Sequence, residues 1–403
     1  MNILTNMNDC TGCTACYTAC PKQCITMQKN EEGFLYPIVN EEKCVKCGKC
    51  QAVCPQQHQI EHHLYQKAYY GWHKDEKIRR QSSSGGAFTA LAEHFLSEGG
   101  IVYGTSFDYE KRCLVYTSTK QVTLNELRKS KYVQGELGNI IVQIEEDLKQ
   151  GKKVLFVGTP CHVNGIKSYF NKKGYDQQLF LCDFICHGVP SNQLLQAHIK
   201  FLEKKYKSKL SSIDFRPKTD KQHPWWKHHL RVTFENGSIY DRTLDTDWYM
   251  YAFMKKSLTL RKSCYQCHYC NVQHESDITL ADFWGVMDYN PVLNDEKGLS
   301  LIILNTSKAD ALIPNLKEVF NLYPLQWEFA KYVFKNRTQE KYSLNKRENF
   351  MKDLQRMDYL SAMFKHIGYI QVTSKLNMFI YFSKRLINNM RKIKHLNFIQ
   401  SSK

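Results

Sequence analysis

One cysteine pattern occurs twice near the N-terminus and constrains the fold of that region more than any other feature. Each copy has the spacing C-x2-C-x2-C-x3-C-P. The two copies consist of Cys10, Cys13, Cys16, Cys20 and Pro21, and of Cys44, Cys47, Cys50, Cys54 and Pro55. Three thiols within one tight turn face a common centre, and the proline ends the turn, so that the fourth thiol points away. We therefore expect this segment to fold around its cysteines.

Iron–sulfur clusters explain the spacing better than zinc or disulfide bonds do. Bacterial ferredoxins use it for 4Fe–4S clusters, with the fourth cysteine of each run bound to the other cluster. Zinc sites pair two C-x2-C halves and leave the third and fourth cysteines of each run without a role. The predicted ligands are Cys10, Cys13, Cys16 and Cys54 for the first cluster, and Cys44, Cys47, Cys50 and Cys20 for the second.

Length and composition limit what the rest of the chain can be. At 403 residues, it is expected to form two or three domains. Sixteen cysteines without a recognisable signal peptide predict a cytoplasmic location, where cysteines bind metals rather than form disulfides. The longest apolar runs fall short of the roughly 18 residues that a membrane-spanning helix needs.

Hydrophobic periodicity predicts an α/β core behind the cysteine-rich module. The alternation of strands and helices favours a mostly parallel or mixed sheet. The expected domains are 1–65 for an α+β dicluster ferredoxin-like module, 66–150 and 151–325 for two parts of the core, and 326–403 for a helical basic tail. The expected strands are 33–37, 101–104, 154–157, 179–185 and 300–304, and the expected helices are 87–96 and 140–149.

A second group of cysteines is placed where a parallel sheet can gather it. Cys161 and Cys186 each follow a predicted core strand, and parallel strands end at the edge where open α/β sheets bind ligands. Cys264 and Cys267 form a chelating pair, which Cys270 extends to C-x2-C-x2-C. The pattern predicts a third metal site. Isolated cysteines are expected to be small buried hydrophobes; they are Cys24, Cys113 and Cys182.

Five motifs occur in order between about residues 66 and 320. They are Ser84-Gly85-Gly86-Ala87, Lys131-Tyr132-Val133-Gln134, Gly158-Thr159-Pro160-Cys161, Cys186-His187-Gly188-Val189-Pro190-Ser191, and the run from Asp277 to Gly285 that contains Asp282-Phe283-Trp284. Together they resemble the coenzyme F420 hydrogenase/dehydrogenase beta-subunit family, whose bacterial members often carry a dicluster ferredoxin module in front. The resemblance implies an FAD-binding α/β core with its own 4Fe–4S cluster near the flavin.

The resemblance also implies which residues hold these groups. The ligands of the core cluster fall on Cys161, Cys186, Cys264 and Cys267, with Cys270 as a departure from the usual pattern. The flavin contacts fall on Ser84, Gly85, Gly86, Lys131, Tyr132, Thr159 and Pro160. Lys131 would stabilise the anionic reduced flavin by its charge. His187 is placed either to donate a proton to substrate or to hydrogen-bond a cluster sulfur.

Three segments leave more than one interpretation open. Residues 82–86 suit either an anion at a helix N-terminus or an ordinary N-cap. The histidine–tryptophan stretch 223–229 predicts either a lid over the flavin or a hairpin edge with its tryptophans in the core. Residues 375–403 carry seven Lys or Arg, no acid and an apolar stripe. Such a helix lies on an anionic membrane surface, docks a partner or packs on its own domain.

The formal net charge of +17 counts protein side chains alone. Each 4Fe–4S cluster with its thiolates contributes about −2, so that three clusters and a flavin diphosphate reduce the total to roughly +9. The basic excess is therefore partly matched by the expected cofactors. Because the chain has no nucleic-acid-binding motif, we do not expect nucleic acid as a partner.

These features predict an iron–sulfur flavoprotein oxidoreductase. Ferredoxin or another electron-transfer protein would exchange single electrons with it, and FAD would pair them for a two-electron acceptor. The family resemblance implies coenzyme F420 or a substrate of polysaccharide biosynthesis as that acceptor; the family also has a chlorophyll-reducing branch, and the sequence does not choose among these. The alternative is an electron-transfer subunit that feeds a partner enzyme and has no substrate of its own.

Overall fold

The computed structural model describes residues 3–57, 66–218, 224–272, 274–334 and 343–368. These residues form a small N-terminal module, an eight-stranded sheet with its helices, and a three-stranded sheet. Within these ranges, no helix combines the length and the apolar character that are needed to cross a bilayer.

The N-terminal module is a β-hairpin flanked by two short helices that pack against each other. Its elements are β1 (Ile25–Lys29), β2 (Leu35–Val39), α1 (Ala15–Ala19) and α2 (Lys49–Ala52). The two strands pair antiparallel. Strand β2 begins two residues later than the predicted strand 33–37, because Gly33 adopts a φ of 82° and belongs to the turn.

The core sheet is mixed. Its strands are β3 (Lys67–His73), β4 (Ile101–Asp108), β5 (Cys113–Ser118), β6 (Val154–Gly158), β7 (Leu179–Phe184), β11 (Ile278–Asp282), β12 (Ser300–Leu304) and β13 (Phe320–Leu325), in the spatial order β13-β3-β12-β11-β7-β6-β4-β5. The pairs β4–β6, β6–β7 and β7–β11 are parallel, and the other four pairs are antiparallel. The C-terminal ends of β6, β7 and β11 therefore meet at one edge, here called the carboxyl edge.

Helices cover both faces of this sheet. They are α3 (Glu76–Arg80), α4 (Ala87–Ser97), α5 (Leu124–Leu127), α6 (Ile140–Lys149), α7 (Pro160–Phe170), α10 (Val286–Tyr289), α11 (Ile313–Val319) and α12 (Trp327–Ala330). On β6, Val154 and Phe156 pack with α6 and α7, whereas Leu155 packs with α4. Because both faces are covered, the central strands are continuous apolar runs. Such runs allow the strands to be predicted from the sequence.

A second hydrophobic core lies beside the sheet. Its elements are α8 (Asn192–Tyr206), β8 (Leu210–Asp214), β9 (His229–Phe234), β10 (Ile239–Thr243), α9 (Trp248–Met250), α13 (Leu344–Arg356) and α14 (Tyr359–Ile367). The three strands form an antiparallel sheet. The sequence did not predict this sheet, because β8 and β10 consist largely of polar residues.

The main elements predicted for the core are confirmed. The predicted helix 140–149 coincides with α6, and the predicted strand 300–304 coincides with β12. Between residues 326 and 368, the described residues include α12, α13 and α14, while the basic helical tail as a whole stays a prediction. Residues 375–403 lie outside the described residues, so the hypothesis of a membrane-binding helix stays a prediction.

Two buried arginines fasten the N-terminal module to the core. The Arg347 guanidinium pairs with both carboxylate oxygens of Glu32 at 2.5 Å and donates to the carbonyl of Leu260. Arg261 donates to the carbonyls of Cys10 and Leu35, each at 2.7 Å. Both arginine side chains are almost completely buried. The module is thus an integral part of the fold rather than a tethered unit.

Replacing Glu32 with glutamine should lower the free energy of unfolding by about 3–5 kcal/mol, because it leaves the Arg347 charge buried without its counter-ion. Thermal and denaturant unfolding would measure the loss. The neighbouring Glu31→Gln substitution is the control, since Glu31 is exposed and should change stability by less than about 0.5 kcal/mol. Equal effects of the two substitutions would contradict the role of the ion pair.

Candidate metal centres and the adjoining cleft

The first cavity of the N-terminal module, here called cavity one, is lined by the four cysteines predicted to bind the first cluster. They are Cys10, Cys13, Cys16 and Cys54. The cavity measures ≈ 350 Å³ including space open to solvent, and Ile3, Leu4 and Met27 form apolar parts of its wall. Gly12, at a φ of 73°, provides the left-handed turn within the first cysteine run.

Cavity two is lined by the four cysteines predicted to bind the second cluster. They are Cys20, Cys44, Cys47 and Cys50. The cavity measures ≈ 340 Å³ including space open to solvent, and Cys47 is exposed, so this cavity lies at the surface. Cys24 also lines it, with its sulfur 3.4 Å from that of Cys20. The sequence predicts Cys24 as a small buried hydrophobe; it is buried, but it also contacts the second cysteine set, as its spacing of four residues from Cys20 indicates.

The chemistry of these cavities suits a multi-iron cluster better than a single ion. Burial and the neighbouring thiols of Cys10 and Cys54 raise the pKa of Cys13 to about 12. Thiols with a raised pKa are protonated in the free protein, and they lose their protons when a metal cation binds to the sulfur. Among the described residues, no group of three or more His, Cys, Asp or Glu side chains is arranged as one metal ion requires. Zinc would need its sulfurs about 2.3 Å from one point, whereas a four-iron cluster holds them further apart.

The core cysteines meet at the carboxyl edge. Cys161 lies in the first turn of α7, directly after β6, and Cys186 follows β7. The two strands are neighbours, with Gly158 paired to Asp183. The loop after Cys186 packs against Cys264. A Cβ added to Gly188 would lie only 3.3 Å from the Cys264 Cβ.

The side-chain environments favour Cys267 over Cys270 as the fourth member of this group. Burial, together with the thiols of Cys186, Cys267 and Cys264, holds the pKa of Cys161 well above its ordinary value. The Cys270 thiol donates instead to the Cys267 carbonyl at 3.0 Å. The structure thus brings together Cys161, Cys186, Cys264 and Cys267, the set that the family resemblance implied.

Helix α7 connects the core cysteines with cavity one. Its Gly165 packs against Cys13 so closely that an added Cβ would lie 2.5 Å from the Cys13 Cβ and 2.8 Å from its sulfur. Cys161 is four residues earlier on the same helix, which corresponds to a rise of roughly 6 Å. The glycine therefore permits a close approach of the two cysteine groups, a role that the sequence reasoning missed.

Tyr269 lies between the same two groups. Its hydroxyl accepts a 2.7 Å hydrogen bond from the Gln56 side-chain amide of the N-terminal module. Burial and the thiols of Cys161 and Cys13 hold the pKa of Tyr269 well above its ordinary value, so the phenol is neutral. The tyrosine thus fills the interface between the module and the core with an uncharged group.

The segment Ser84–Gly86 is held by hydrogen bonds to β12 and the residue before it. Ser84 donates to the Leu299 carbonyl at 2.5 Å, and the Gly85 amide donates to the Ser300 hydroxyl at 3.0 Å. A Cβ on Gly85 would lie 2.4 Å from the Gly71 carbonyl oxygen, and Gly86 is the N-cap of α4 at a φ of 95°. Close packing explains why position 85 is a glycine, and the positive φ explains why position 86 is one. Contact of either glycine with a flavin stays a prediction.

Lys131 and Tyr132 occupy a loop that contacts this segment, since the Ser130 amide donates to Ser83 at 2.8 Å. The Lys131 ammonium donates to the Arg128 carbonyl at 2.7 Å, and burial lowers its pKa to about 7. Burial raises the pKa of Tyr132 to about 12, although the nearby Arg216 charge acts in the opposite direction. These two motif residues therefore lie close to Ser83 and Arg216, and the group of residues around these four is here called the cleft.

Two buried cations, neither of them expected from the sequence, line the same cleft. Lys218 is 5% exposed and donates to the Ser84 carbonyl at 2.6 Å. Burial, reinforced by the Arg216 and Arg79 charges, lowers the pKa of Lys218 to about 6. Arg216 binds the Asp282 carboxylate at 2.6 Å and the Trp225 carbonyl at 2.5 Å. Arg216 is thus paired with an acid, whereas Lys218 is held by a neutral backbone carbonyl.

Aromatic rings form another wall of the cleft. The His228 ring stacks on Trp284 at 5.6 Å with an interplanar angle of 15°, and it lies 5.9 Å from the Tyr132 ring. Burial, then the charges of Arg216 and His187, hold the pKa of His228 well below its ordinary value. Trp225 is buried in the core, as the hairpin interpretation of residues 223–229 predicts, whereas His223 lies outside the described residues.

The remaining predicted site residues lie on the carboxyl edge. The exposed His187 follows Cys186 and is close enough to influence His228 electrostatically. The Thr159 hydroxyl lies 3.4 Å from the Cys161 sulfur, and the buried Pro160 is the first residue of α7. The metal and cleft residues thus form one continuous region.

Family models match most of the described chain. Residues 68–141 match the model for the N-terminal part of the coenzyme F420 hydrogenase/dehydrogenase beta subunit, and residues 151–323 match the model for its C-terminal part. Residues 9–58 and 36–84 each match a model of a 4Fe-4S dicluster domain. No curated protein matches the chain significantly.

Among solved structures, the chain is similar to one from the xenon-derivatised F420-reducing NiFe hydrogenase complex of Methanosarcina barkeri. The sequences are 14% identical, and the alignment covers 73% of this chain and 93% of that chain, with a TM-score of 0.46. This similarity is too distant to carry a functional argument.

Anaerobically purified protein should contain about twelve irons and twelve acid-labile sulfides, because each of the three sets of four cysteines is predicted to bind one four-iron cluster. Cys13→Ser and Cys161→Ser should each reduce the iron content to about eight, while Cys113→Ser, at an isolated buried cysteine, should leave it near twelve. Iron and sulfide assays would measure these values. Saturation of the unaltered protein near eight irons, unchanged by Cys161→Ser, would show that the core cysteines bind no cluster.

Proposed function

The chain belongs to the coenzyme F420 hydrogenase/dehydrogenase beta-subunit family, and on that premise we propose that it is an iron–sulfur flavoprotein oxidoreductase. Its 4Fe–4S dicluster domains make it an iron–sulfur electron-transfer protein. In our proposal, it passes electrons between a ferredoxin-type carrier and a two-electron acceptor. That acceptor is coenzyme F420 or a substrate of polysaccharide biosynthesis, the two classes that the family resemblance implies.

The observation that carries this proposal is the arrangement of the three cysteine sets in series. Cavity two lies at the surface, cavity one packs against α7 through Gly165, and the core set lies at the carboxyl edge beside the cleft. When bound, 4Fe–4S clusters supply one-electron chemistry and a flavin supplies both one- and two-electron chemistry. This order supports the proposal, because electron exchange between the surface and the cleft would use the three sets in turn.

The charges of the cleft support a bound flavin dinucleotide. Burying a lysine is costly unless a negative group accompanies it, and Lys218 is held against a neutral backbone carbonyl. Lys131 lies nearby, and Arg216 is also close but already pairs with Asp282. A diphosphate would be stabilised by these cations, and the aromatic wall of Tyr132, His228 and Trp284 suits a flat ring. We propose that Ser84, Gly85, Gly86, Lys131, Tyr132, Thr159 and Pro160 also border the flavin.

Two side chains are proposed to serve the chemistry directly. Lys131 would place positive charge near a reduced flavin, and with a pKa of about 7 it can hold or release a proton near neutral pH. His187 is exposed next to the aromatic wall, where it can donate a proton to a bound substrate. Its neighbour Cys186 belongs to the core cysteine set, so the proposed proton donor and a proposed metal ligand are adjacent residues.

A second candidate function is an electron-transfer subunit without its own substrate. The matching family models describe a beta subunit, which favours a chain that works with partners. The two functions differ in what the isolated, cofactor-loaded chain can do. If it reduces coenzyme F420 with reduced ferredoxin, it has its own substrate site. If it accepts electrons but turns over only with a partner enzyme, the subunit role is correct.

The affinity for FAD should fall as pH rises above about 6, because Lys218 loses its proton there and must regain it to pair with a diphosphate. If one proton is taken up, the fall approaches about tenfold per pH unit. Fluorescence titration of flavin-free protein would measure it. Lys218→Met should weaken binding near pH 6 and reduce the slope, whereas the exposed control Lys77→Met should resemble the unaltered protein. Identical slopes for both variants would exclude Lys218 as a diphosphate contact.

A further inference from the structure

We propose that the surface around cavity two is the docking site for an acidic one-electron carrier protein. This inference rests on the proposed function and names the surface through which the chain exchanges electrons with its partner. The occupant is identified by its chemistry, namely a small redox protein with negative charge around its own cofactor.

Exposed lysines surround cavity two. Each lies within two residues of a cysteine of the second predicted cluster, and they are Lys22, Lys43, Lys46 and Lys49. Lys22 and Lys49 line the cavity itself. The segment 41–49 contains three of these lysines and two acids, Glu41 and Glu42, and Lys22 adds a fourth lysine from outside the segment. This surface therefore presents a net positive charge from its side chains.

An exposed apolar side chain, Val45, lies between Lys43 and Lys46 in the sequence. Val45 is 58% exposed and lines cavity two together with the exposed Cys47. An exposed apolar side chain with charged neighbours matches the composition of protein interfaces, which have an apolar centre and a polar rim. A partner that covered Val45 would come into direct contact with the wall of cavity two.

The other cysteine sets are less suited to direct contact with a partner protein. The cysteines of cavity one are buried, and Cys13 is covered by Gly165 of α7. Cys161, Cys186 and Cys264 are only partly accessible, and none of them is exposed as Cys47 is. Cavity two is therefore the cysteine set that a protein-sized partner can approach most closely.

The arrangement of charges determines the kind of partner. Complementary charges accelerate encounter and orient two proteins, and weak redox complexes use small interfaces of this type. A ring of lysines attracts an acidic surface and repels a basic one. The association should consequently be fast at low ionic strength and become slower as salt screens the charges.

Stopped-flow reduction of the cofactor-loaded, full-length protein by a reduced acidic ferredoxin tests the inference. At low ionic strength, Lys43→Glu/Lys46→Glu should lower the second-order rate constant by about tenfold or more, because steering contributes about 10–1000-fold to association. Added salt should slow the unaltered protein and remove most of the difference. The control Lys152→Glu/Lys200→Glu has the same change in net charge at exposed positions outside the N-terminal module and should retain most of the rate.

Reduction by excess dithionite is the control that distinguishes loss of docking from loss of function, because this small reductant does not need the docking surface. All variants should be reduced to the same extent by dithionite, which shows that their clusters are intact. If the charge-reversed protein loses clusters, Lys43→Gln/Lys46→Gln replaces it, with a smaller decrease in rate expected. Rates equal to that of the unaltered protein, or equal decreases in both doubly substituted proteins, would overturn the docking site and leave the function standing. An unaltered protein that dithionite reduces but no ferredoxin reduces would contradict the proposed function itself.

Discussion

Helix α7 packs Gly165 against Cys13, and the relation between the N-terminal module and the core depends on this contact. Because Cys161 lies one turn earlier on the same helix, the contact sets the separation of cavity one from the core cysteines. Nearby, the Gln134 amide donates to the Thr11 carbonyl at 2.9 Å, and Arg261 donates to that of Cys10. These bonds use backbone carbonyls of the first cysteine turn, so the turn is held by the core as well as by its own cysteines.

Features that depend on local sequence patterns were predicted from the sequence. Features that depend on contacts between distant residues were mostly not. The two N-terminal cysteine sets follow from spacing within short turns, and the buried strands follow from apolar runs such as residues 300–304. The meeting of Cys161 and Cys186 needed one further step, the parallel pairing of β6 and β7. Gly165 and Lys218 could not be predicted, because their roles depend on partners far away in the sequence, such as Ser84, 134 residues from Lys218.

Positive charge in this chain has at least two local uses. Around the cleft, Lys218, Arg216 and Lys131 are buried or half-buried, where their charge is expensive unless an anion accompanies it. Around cavity two, exposed lysines remain solvated and act at longer range on an approaching protein. In our proposals, the first group pairs with a bound cofactor and the second group attracts a transient partner. Together they give a physical reason for part of the net charge of +17 without a nucleic-acid partner.

Low-temperature electron paramagnetic resonance of the fully reduced protein tests the central claim most directly, because it detects each reduced cluster and the magnetic coupling between neighbours. The account predicts signals from three clusters with mutual coupling, since α7 brings cavity one and the core cysteines close together. Cys161→Ser should remove one cluster and its coupling while leaving the N-terminal pair. A spectrum of two clusters that is the same in the unaltered protein and in the Cys161→Ser variant would contradict the arrangement in series.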